Sequence, residues 1–259
     1  MNDGKPTLWQ LDVSHFSEKA RWALDPKGVA YRGRSPLPGM HIAVALALTG
    51  GSQKIFPILQ LDGQTIADST AVIAALEARH PEPPLYPRDP AQRRRALELE
   101  DFFDEELGPY TRQLAFHELI NEPKTFAAVA VEAVPAPLRV AKGAVGAYAR
   151  AYTSLRFGAN DATAAATARI KIVAALDRLD AELAAGNGEF LVGESFSVAD
   201  LTAAALFYPL VGPAEGPLPA DVPTPAAIEE FRAELSDRPG YIWVEEMFRS
   251  HRRSAAVGT

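Results

Sequence analysis

Short hydrophobic stretches alternate with helix-like stretches at the start of the chain. The apolar and aromatic content of residues 7–11 predicts a strand, and residues 29–36 are a second strand candidate. Between them, the apolar spacing over residues 17–24 predicts a helix, and residues 38–51 predict another that ends on two glycines. The chain therefore begins in the order strand, helix, strand, helix.

The strongest local signal is a hairpin within residues 57–68. Two apolar stretches flank Asp62-Gly63, a dipeptide suited to the tight type I′ turn that joins two antiparallel strands. Residues 69–80 then place apolar side chains at helical spacing, which predicts a short amphipathic helix. The predicted order for residues 1–80 is βαβαββα.

A change in organisation follows, because five prolines lie within residues 81–90. Proline at this density stops helices and favours extended backbone, so we interpret this segment as a linker between two domains. The later patterns are helical, with one long helix predicted over residues 90–120, interrupted near Gly108-Pro109, and another over residues 162–186. We therefore predict an α/β domain over residues 1–80 and an all-helical domain over residues 91–259.

Composition narrows the class of protein. The chain has 259 residues, of which 47% are hydrophobic and 23% charged, as expected of a soluble globular chain long enough for two cores. Its net charge of −7 does not favour nucleic acid as a partner. No stretch has the roughly 18 uninterrupted apolar residues of a membrane span, and the first residues lack the form of a signal peptide. We therefore expect a cytoplasmic protein with no membrane partner.

Cysteine is absent from the chain, which excludes disulfides, thiolate metal sites and a cysteine nucleophile. Any thiol chemistry therefore needs a thiol that the ligand supplies. Ser14-His15-Phe16-Ser17 has the C-x-x-C spacing of a redox motif, with oxygen in place of both sulfur atoms. The five histidines show no ligand spacing, so we expect no metal site.

Three segments, in the same order along the chain, resemble the cytosolic glutathione transferase superfamily: SHFSEKARWAL (14–24), FPILQLDGQTIADSTAVIAALE (56–77) and FLVGESFSVADLTAAALF (190–207). The resemblance implies a thioredoxin-like N-terminal domain followed by an all-helical domain. It also implies an enzyme that uses glutathione as co-substrate and adds the thiolate to a small hydrophobic or anionic electrophile. A binding or scaffold protein of the same fold, without turnover, stays open as the alternative, because fold alone does not assign function.

The resemblance places Ser14 where serine-type members of the family have their catalytic residue. A hydroxyl at the start of a helix can donate a hydrogen bond to a bound thiolate, and the helix N-terminus adds positive potential. The competing interpretation is that Ser14 only caps the helix. Ser17 is either a second ligand contact or a residue of the first helical turn. We expect no catalytic pair between Ser14 and His15, because neighbouring side chains on a helix do not face each other.

Three further places in the sequence match binding segments of the family. Phe56-Pro57 resembles its cis-proline position, where a cis bond would present the Phe56 N–H and C=O to an extended peptide. Asp68 would pair with the ammonium of the γ-glutamyl end of glutathione, and Ser69 would hold its carboxylate. The alternative for this pair is a helix cap alone. Lys54 would either reach the glycyl carboxylate or lie in solvent.

Two segments of the predicted helical domain have other interpretations. Ser197 and Asp200 have the spacing of a capping box, which we assign to folding. Residues 133–160 contain no acid and several basic residues. This basic segment lines the pocket of the second substrate, attracts an anionic substrate, or is merely a solvated helix.

The charged run over residues 93–107 is interpreted as a solvated helix face or as part of a dimer edge. Members of the family are usually dimeric. The resemblance therefore implies a homodimer in which the helix over residues 69–80 packs against residues 91–107 of the partner.

Overall fold

The computed structural model of the protein describes residues 5–37, 39–132, 140, 142–218 and 222–252. Up to residue 79 the elements follow the predicted order βαβαββα, here called the thioredoxin-like part. They are β1 (Thr7–Trp9), α1 (His15–Leu24), β2 (Arg32–Arg34), α2 (Met40–Leu48), β3 (Ile58–Leu61), β4 (Gln64–Ala67) and α3 (Ser69–Arg79).

The four strands form one sheet in the order β2-β1-β3-β4. β1 runs parallel to β2 and antiparallel to β3, and β3 pairs with β4 in a tight hairpin. Asp62 and Gly63 both have positive φ, 51° and 75°, as a type I′ turn requires. The predicted hairpin is therefore confirmed.

After residue 90 the described elements are helices, here called the helical part. They are α4 (Pro90–Glu106), α5 (Gly108–Asn121), α6 (Pro123–Glu132), α7 (Lys142–Phe157), α8 (Ala162–Ala185), α9 (Val198–Val211), α10 (Ala226–Leu235) and α11 (Pro239–His251). The fold class predicted from the sequence is thus confirmed. The exact limits of the two domains and of the linker, and the homodimer, stay predictions.

The main hydrophobic core does not divide into the two cores that the chain length suggested. One cluster of buried side chains continues from Leu8 and Trp22 in the thioredoxin-like part to Phe103 and Phe207 in the helical part. Helix α1 explains this continuity, because it packs against α3 on one side and against α9 on another. The helix that begins the candidate site is therefore enclosed by both parts of the protein.

The capping box at the start of α9 is confirmed. Ser197 is the N-cap residue, and its backbone N–H donates to Oδ2 of Asp200 at 2.8 Å. The other oxygen, Oδ1, accepts from the backbone N–H of Leu191 at 2.7 Å. These contacts are buried within the helical part, as expected of a device that serves folding.

Candidate functional site

A cavity of about 860 Å³ lies between the thioredoxin-like part and the helical part. Its lining includes five of the seven residues that the sequence assigns to the site: Ser14, Phe56, Pro57, Asp68 and Ser69. The helical part lines the cavity with side chains of α4, α5 and α7 and with the segment after α9. The other two predicted residues, Ser17 and Lys54, do not line the cavity.

Strand register brings the predicted segments together. Trp9 pairs with Ile58, and Ile58 pairs with Ala67 across the hairpin. The chain after β1, the residues before β3 and the start of α3 therefore lie side by side. The backbone N–H of Asp68 also donates to the carbonyl of Pro57 at 3.2 Å, which joins two of these segments directly.

The loop before Ser14 is held by side-chain contacts to Asp12. Oδ1 of Asp12 accepts hydrogen bonds from Nε2 of Gln10 at 2.9 Å and from Oγ of Ser35 at 2.6 Å. Nη2 of Arg21 donates to the backbone carbonyl of Asp12 at 2.9 Å. The entry of the chain into α1, and with it the position of Ser14, is therefore fixed by the fold.

Ser14 is the N-cap residue of α1, and its Oγ accepts a hydrogen bond from the backbone N–H of Ser17 at 3.3 Å. Ser14 therefore caps the helix, and its catalytic role stays a prediction. Capping uses a lone pair of the oxygen, whereas a bound thiolate would need the hydroxyl hydrogen. The same hydroxyl can thus cap the helix and still donate into the cavity that it lines.

Ser17 has a structural position. Its side chain is fully buried, and Oγ accepts a hydrogen bond from the backbone N–H of Leu11 at 3.2 Å. This contact ties the loop after β1 to the first turn of α1. Of the two interpretations of Ser17, the arrangement supports the helix residue and not the ligand contact.

His15 follows Ser14 but does not act on it in this arrangement. Its buried ring contacts the carbonyl of Gly108 through Nε2 at 2.8 Å, so Nε2 carries the hydrogen and donates. Burial, and secondly the Arg112 guanidinium, lower the pKa of His15 to about 3. The neutral His15 ring donates its hydrogen to Gly108 and not to Ser14, which agrees with the expectation that the two residues do not form a catalytic pair.

Gly108 allows this close contact between α1 and the start of α5. A Cβ atom at this position would lie 2.6 Å from Cζ of Phe16, a ring that lines the cavity. The break between α4 and α5 that the sequence predicted near this glycine therefore also makes room for the residues that follow Ser14.

Phe56 and Pro57 are buried and line the cavity beside the start of α1. The peptide bond between them is cis, as predicted. Lys54 is exposed and lies outside the cavity lining, which supports its alternative interpretation as a solvated lysine.

Asp68 and Ser69 form the start of α3 at the cavity. Oδ1 of Asp68 accepts from the backbone N–H groups of Thr70 at 2.9 Å and Ala71 at 3.4 Å, so Asp68 caps the helix. The Asp68 side chain is exposed, whereas Ser69 is only 3% exposed. The cap uses one carboxylate oxygen, and the second oxygen receives no hydrogen bond from the described residues.

A buried charge cluster contacts the first turn of α3 through Thr70. Nζ of Lys19 lies 2.9 Å from Glu100, 2.7 Å from Asp104 and 2.9 Å from Oγ1 of Thr70. Lys19 and Glu100 are both 0% exposed. Residues 93–107 are therefore not entirely a solvated face, because Glu100 points inwards and binds a lysine from another helix.

Arg112 on α5 is a cavity residue that the sequence analysis did not identify. Its guanidinium carbon lies 5.1 Å from the ring centroid of Phe157 and 5.8 Å from that of Phe16. Arg156, in the basic segment, lies 5.1 Å from the same Phe157 ring and also lines the cavity. Helix α7 of the basic segment therefore lines the cavity and is not merely a solvated helix, while residues 133–139 and 141 lie outside the described residues.

Within the described ranges, no helix is long and apolar enough to cross a membrane. In the same ranges, no group of three or more histidine or acidic side chains is arranged to hold a metal ion.

Two family models match this chain. The model "Glutathione S-transferase, N-terminal domain" matches residues 8–84, and "Glutathione S-transferase, C-terminal domain" matches residues 147–226. Together they account for more than half of the sequence. The chain belongs to the glutathione S-transferase superfamily.

Individual members of the superfamily align over most of the chain. A probable maleylacetoacetate isomerase from Caenorhabditis elegans is 25% identical over 209 residues, which cover 80% of each protein. The crystal structure of a beta-etherase from Sphingobium matches 95% of both chains with a TM-score of 0.64 at 18% identity. A theta class glutathione S-transferase from Xanthomonas axonopodis, crystallised with glutathione bound, matches 98% of this chain and 100% of its own with a TM-score of 0.56 at 22% identity. At these identities the two crystal structures support the fold.

Proposed function

We propose that this superfamily member binds glutathione in the cavity and uses Ser14 to stabilise the glutathione thiolate for attack on a small electrophile. The observation that carries the proposal is the position of the Ser14 hydroxyl. It caps α1 at the wall of the same cavity that Phe56 and Ser69 line. A thiolate bound there would meet a hydroxyl donor and the positive end of a helix.

The remaining predicted residues give glutathione an orientation. Its γ-glutamyl end would lie at the start of α3, where Asp68 would pair with the ammonium and Ser69 would donate hydrogen bonds to the carboxylate. The peptide backbone of its cysteine would lie along Phe56, which places the sulfur near Ser14. Lys54 has no part in this arrangement, because it lies outside the cavity.

Simple energetics supports the role of the hydroxyl. A free thiol has a pKa near 8.5, and lowering it by about two units requires about 2.7 kcal/mol. A hydrogen bond to a charged group contributes roughly 1.5–3 kcal/mol. One hydroxyl together with the end of α1 is therefore enough to keep the bound sulfur mostly ionised near neutral pH.

Two reactions share this first step. In a transferase the thiolate stays bonded to the electrophile, whereas in an isomerase it adds to the substrate and leaves again. The relative named as a probable maleylacetoacetate isomerase favours the second outcome as a candidate for this chain. A binding protein without turnover remains the alternative from another class.

The test combines binding with product analysis. Glutathione binding is measured by calorimetry, and the ionisation of its bound sulfur by the ultraviolet absorbance of the thiolate as pH is varied. Turnover is then followed on a panel of aryl halides, enones and cis-configured unsaturated acids while free glutathione is quantified. Transfer consumes one glutathione per product, and isomerisation leaves its concentration unchanged. Tight binding with an un-ionised thiol and no turnover would support the binding protein instead.

A further inference from the structure

Two guanidinium groups face the cavity without a carboxylate partner among the described residues. Arg112 on α5 and Arg156 on α7 both line the cavity, and both lie 5.1 Å from the centroid of the Phe157 ring. Arg169 and Arg178, which also lie over aromatic rings, are by contrast paired with glutamates. Arg112 and Arg156 are therefore two cations beside one aromatic ring of the cavity that no carboxylate among the described residues neutralises.

This arrangement is electrostatically unfavourable in the free protein. Arg112 is partly buried, and burial, followed by the charge of Arg156, lowers its pKa. The acids that line the cavity lie at Asp68 and within residues 101–105, and none of them forms an ion pair with either arginine. An anion bound between the two guanidinium groups would relieve both the desolvation and the repulsion.

The surroundings of the two arginines are aromatic. Phe116 stacks on Phe157 with ring centroids 4.9 Å apart, and the Tyr152 ring meets Phe157 edge to face at 6.1 Å. The Tyr152 hydroxyl lies 3.4 Å from Nε2 of His41, so α2 and α7 hold this ring jointly. Such a wall suits a ligand with a flat unsaturated body and a charged end.

The ring of Phe16 lies between this wall and Ser14 in the chain and contacts Arg112. The Arg112 guanidinium carbon lies 5.8 Å from the ring of Phe16, which is two residues after Ser14 and lines the same cavity. An anionic group on the arginines would thus hold the remainder of a small molecule beside Ser14. The glutathione ammonium, by contrast, would face Asp68 at the start of α3.

We propose that Arg112 and Arg156 bind a carboxylate of the second substrate, so that the preferred electrophiles are small unsaturated or aromatic carboxylic acids. The inference rests on the proposed function, because it names the partner of the glutathione thiolate in the same cavity. A carboxylate accepts the forked donors of a guanidinium, and two arginines can share its oxygen atoms.

The experiment compares two glutathione derivatives whose sulfur carries the same aromatic group. In one derivative this group ends in a free carboxylate, and in the other the same carboxylate is a methyl ester. Their affinities are measured by calorimetry for the wild type, Arg112→Met and Arg156→Met. Arg150→Met serves as the matched control, because Arg150 is exposed on the same helix as Arg156 and lies outside the cavity lining. Unmodified glutathione is titrated into every variant.

The wild type and Arg150→Met should prefer the acid to the ester by roughly tenfold to a hundredfold. Arg112→Met should remove most of this preference while its affinity for unmodified glutathione stays within a few-fold, and Arg156→Met should act in the same direction. Equal affinities for acid and ester in the wild type, with glutathione itself bound, would overturn the inference and leave the proposed function standing. A preference that survives in both Arg112→Met and Arg156→Met would also overturn it. Failure of the wild type to bind glutathione would count against the proposed function itself.

Discussion

Ser14 and Ser17 are joined by a hydrogen bond in which the backbone N–H of Ser17 donates to Oγ of Ser14 at 3.3 Å. The two serines of the C-x-x-C-like stretch are therefore not equivalent. Ser14 lines the cavity. Ser17 instead donates its backbone N–H to Ser14, and its buried Oγ accepts a hydrogen bond from the backbone N–H of Leu11. The two hydroxyls should consequently respond to substitution in different ways.

Ser14→Ala should lower the rate of thiolate transfer at least tenfold and leave glutathione affinity within a few-fold. The hydroxyl bond strengthens as charge builds on sulfur, whereas binding depends on contacts elsewhere in the cavity. The pKa of the bound thiol should rise towards about 8.5, visible in the pH–rate profile. Loss of the cap should also cost about 1 kcal/mol of the free energy of unfolding. An unchanged rate in the folded variant would remove Ser14 from the mechanism.

Ser17→Ala should lower the stability of the protein and leave its catalytic rate unchanged. It leaves the Leu11 backbone N–H without its acceptor, which costs roughly 1–3 kcal/mol of the free energy of unfolding. Below its unfolding temperature the variant should keep the wild-type kcat. Denaturant unfolding and steady-state kinetics on the same sample check both points. A large loss of kcat with wild-type stability would place the active hydroxyl at Ser17 and not at Ser14.

Asp68→Asn should weaken glutathione binding without unfolding the start of α3. Asparagine caps helices about as well as aspartate, so the bonds to Thr70 and Ala71 have a replacement acceptor. Because Asp68 is exposed, we expect a loss of about 1 kcal/mol, or roughly fivefold in Kd, and not that of a buried ion pair. Asp101→Asn, an exposed acid on the same cavity, is the control for net charge. Equal losses in the two variants would contradict a specific contact at Asp68.

His15 should make the protein less stable as the pH falls. The unfolded chain binds a proton on this ring near pH 6.5, whereas the folded chain does so only near the lowered pKa of about 3. Between these values the unfolded state binds more protons, so the free energy of unfolding decreases with falling pH, by at most about 1.4 kcal/mol per unit. His15→Gln retains an N–H donor for Gly108 but does not titrate. Its unfolding free energy, measured between about pH 4 and pH 7, should therefore fall less steeply than that of the wild type. Parallel curves would contradict the prediction.

Lys19→Met should destabilise the protein by about 3–5 kcal/mol, because it leaves the buried carboxylate of Glu100 without a cation. The double variant Lys19→Met, Glu100→Gln removes that uncompensated charge and should recover part of the loss. Urea unfolding of the two variants, with the single Glu100→Gln variant completing the cycle, gives the coupling. Strict additivity of the two substitutions would show that the pair does not interact.

Local signals in the sequence were sufficient for several features of the fold. The Asp62-Gly63 turn, the capping box at Ser197 and the helix break at Gly108 each depend on residues close together in the chain. The cavity positions of Ser14 and Phe56 followed from the resemblance to a family. The first three features could be predicted because a few adjacent residues determine the local backbone. The positions of Ser14 and Phe56 could be predicted because their segments match those of a known family.

Other features arise only from contacts between distant segments. Lys19 and Glu100 are separated by about eighty residues, and each belongs to a charged stretch that looks solvated when viewed alone. Arg112 shows no local pattern that separates it from a surface arginine on an amphipathic helix. Its proximity to Arg156 depends on how α5 and α7 pack. Ser17 was ambiguous for the same reason, since only the folded loop brings Leu11 to its hydroxyl.

The absence of a side chain at Gly108 restricts how this protein can be recombined with its relatives. The ring of Phe16 occupies the space that any Cβ at that position would need, and His15 binds the carbonyl of the same residue. A chimera that joined this thioredoxin-like part to a foreign helical part would therefore need a glycine at the matching position to keep the Phe16 ring in place. With alanine or a larger residue there, the tip of the Phe16 ring would have to leave its present position in the cavity wall. The shape of the cavity beside Ser14 thus depends on a residue of the helical part, and a transplanted thioredoxin-like part would not reproduce it by itself.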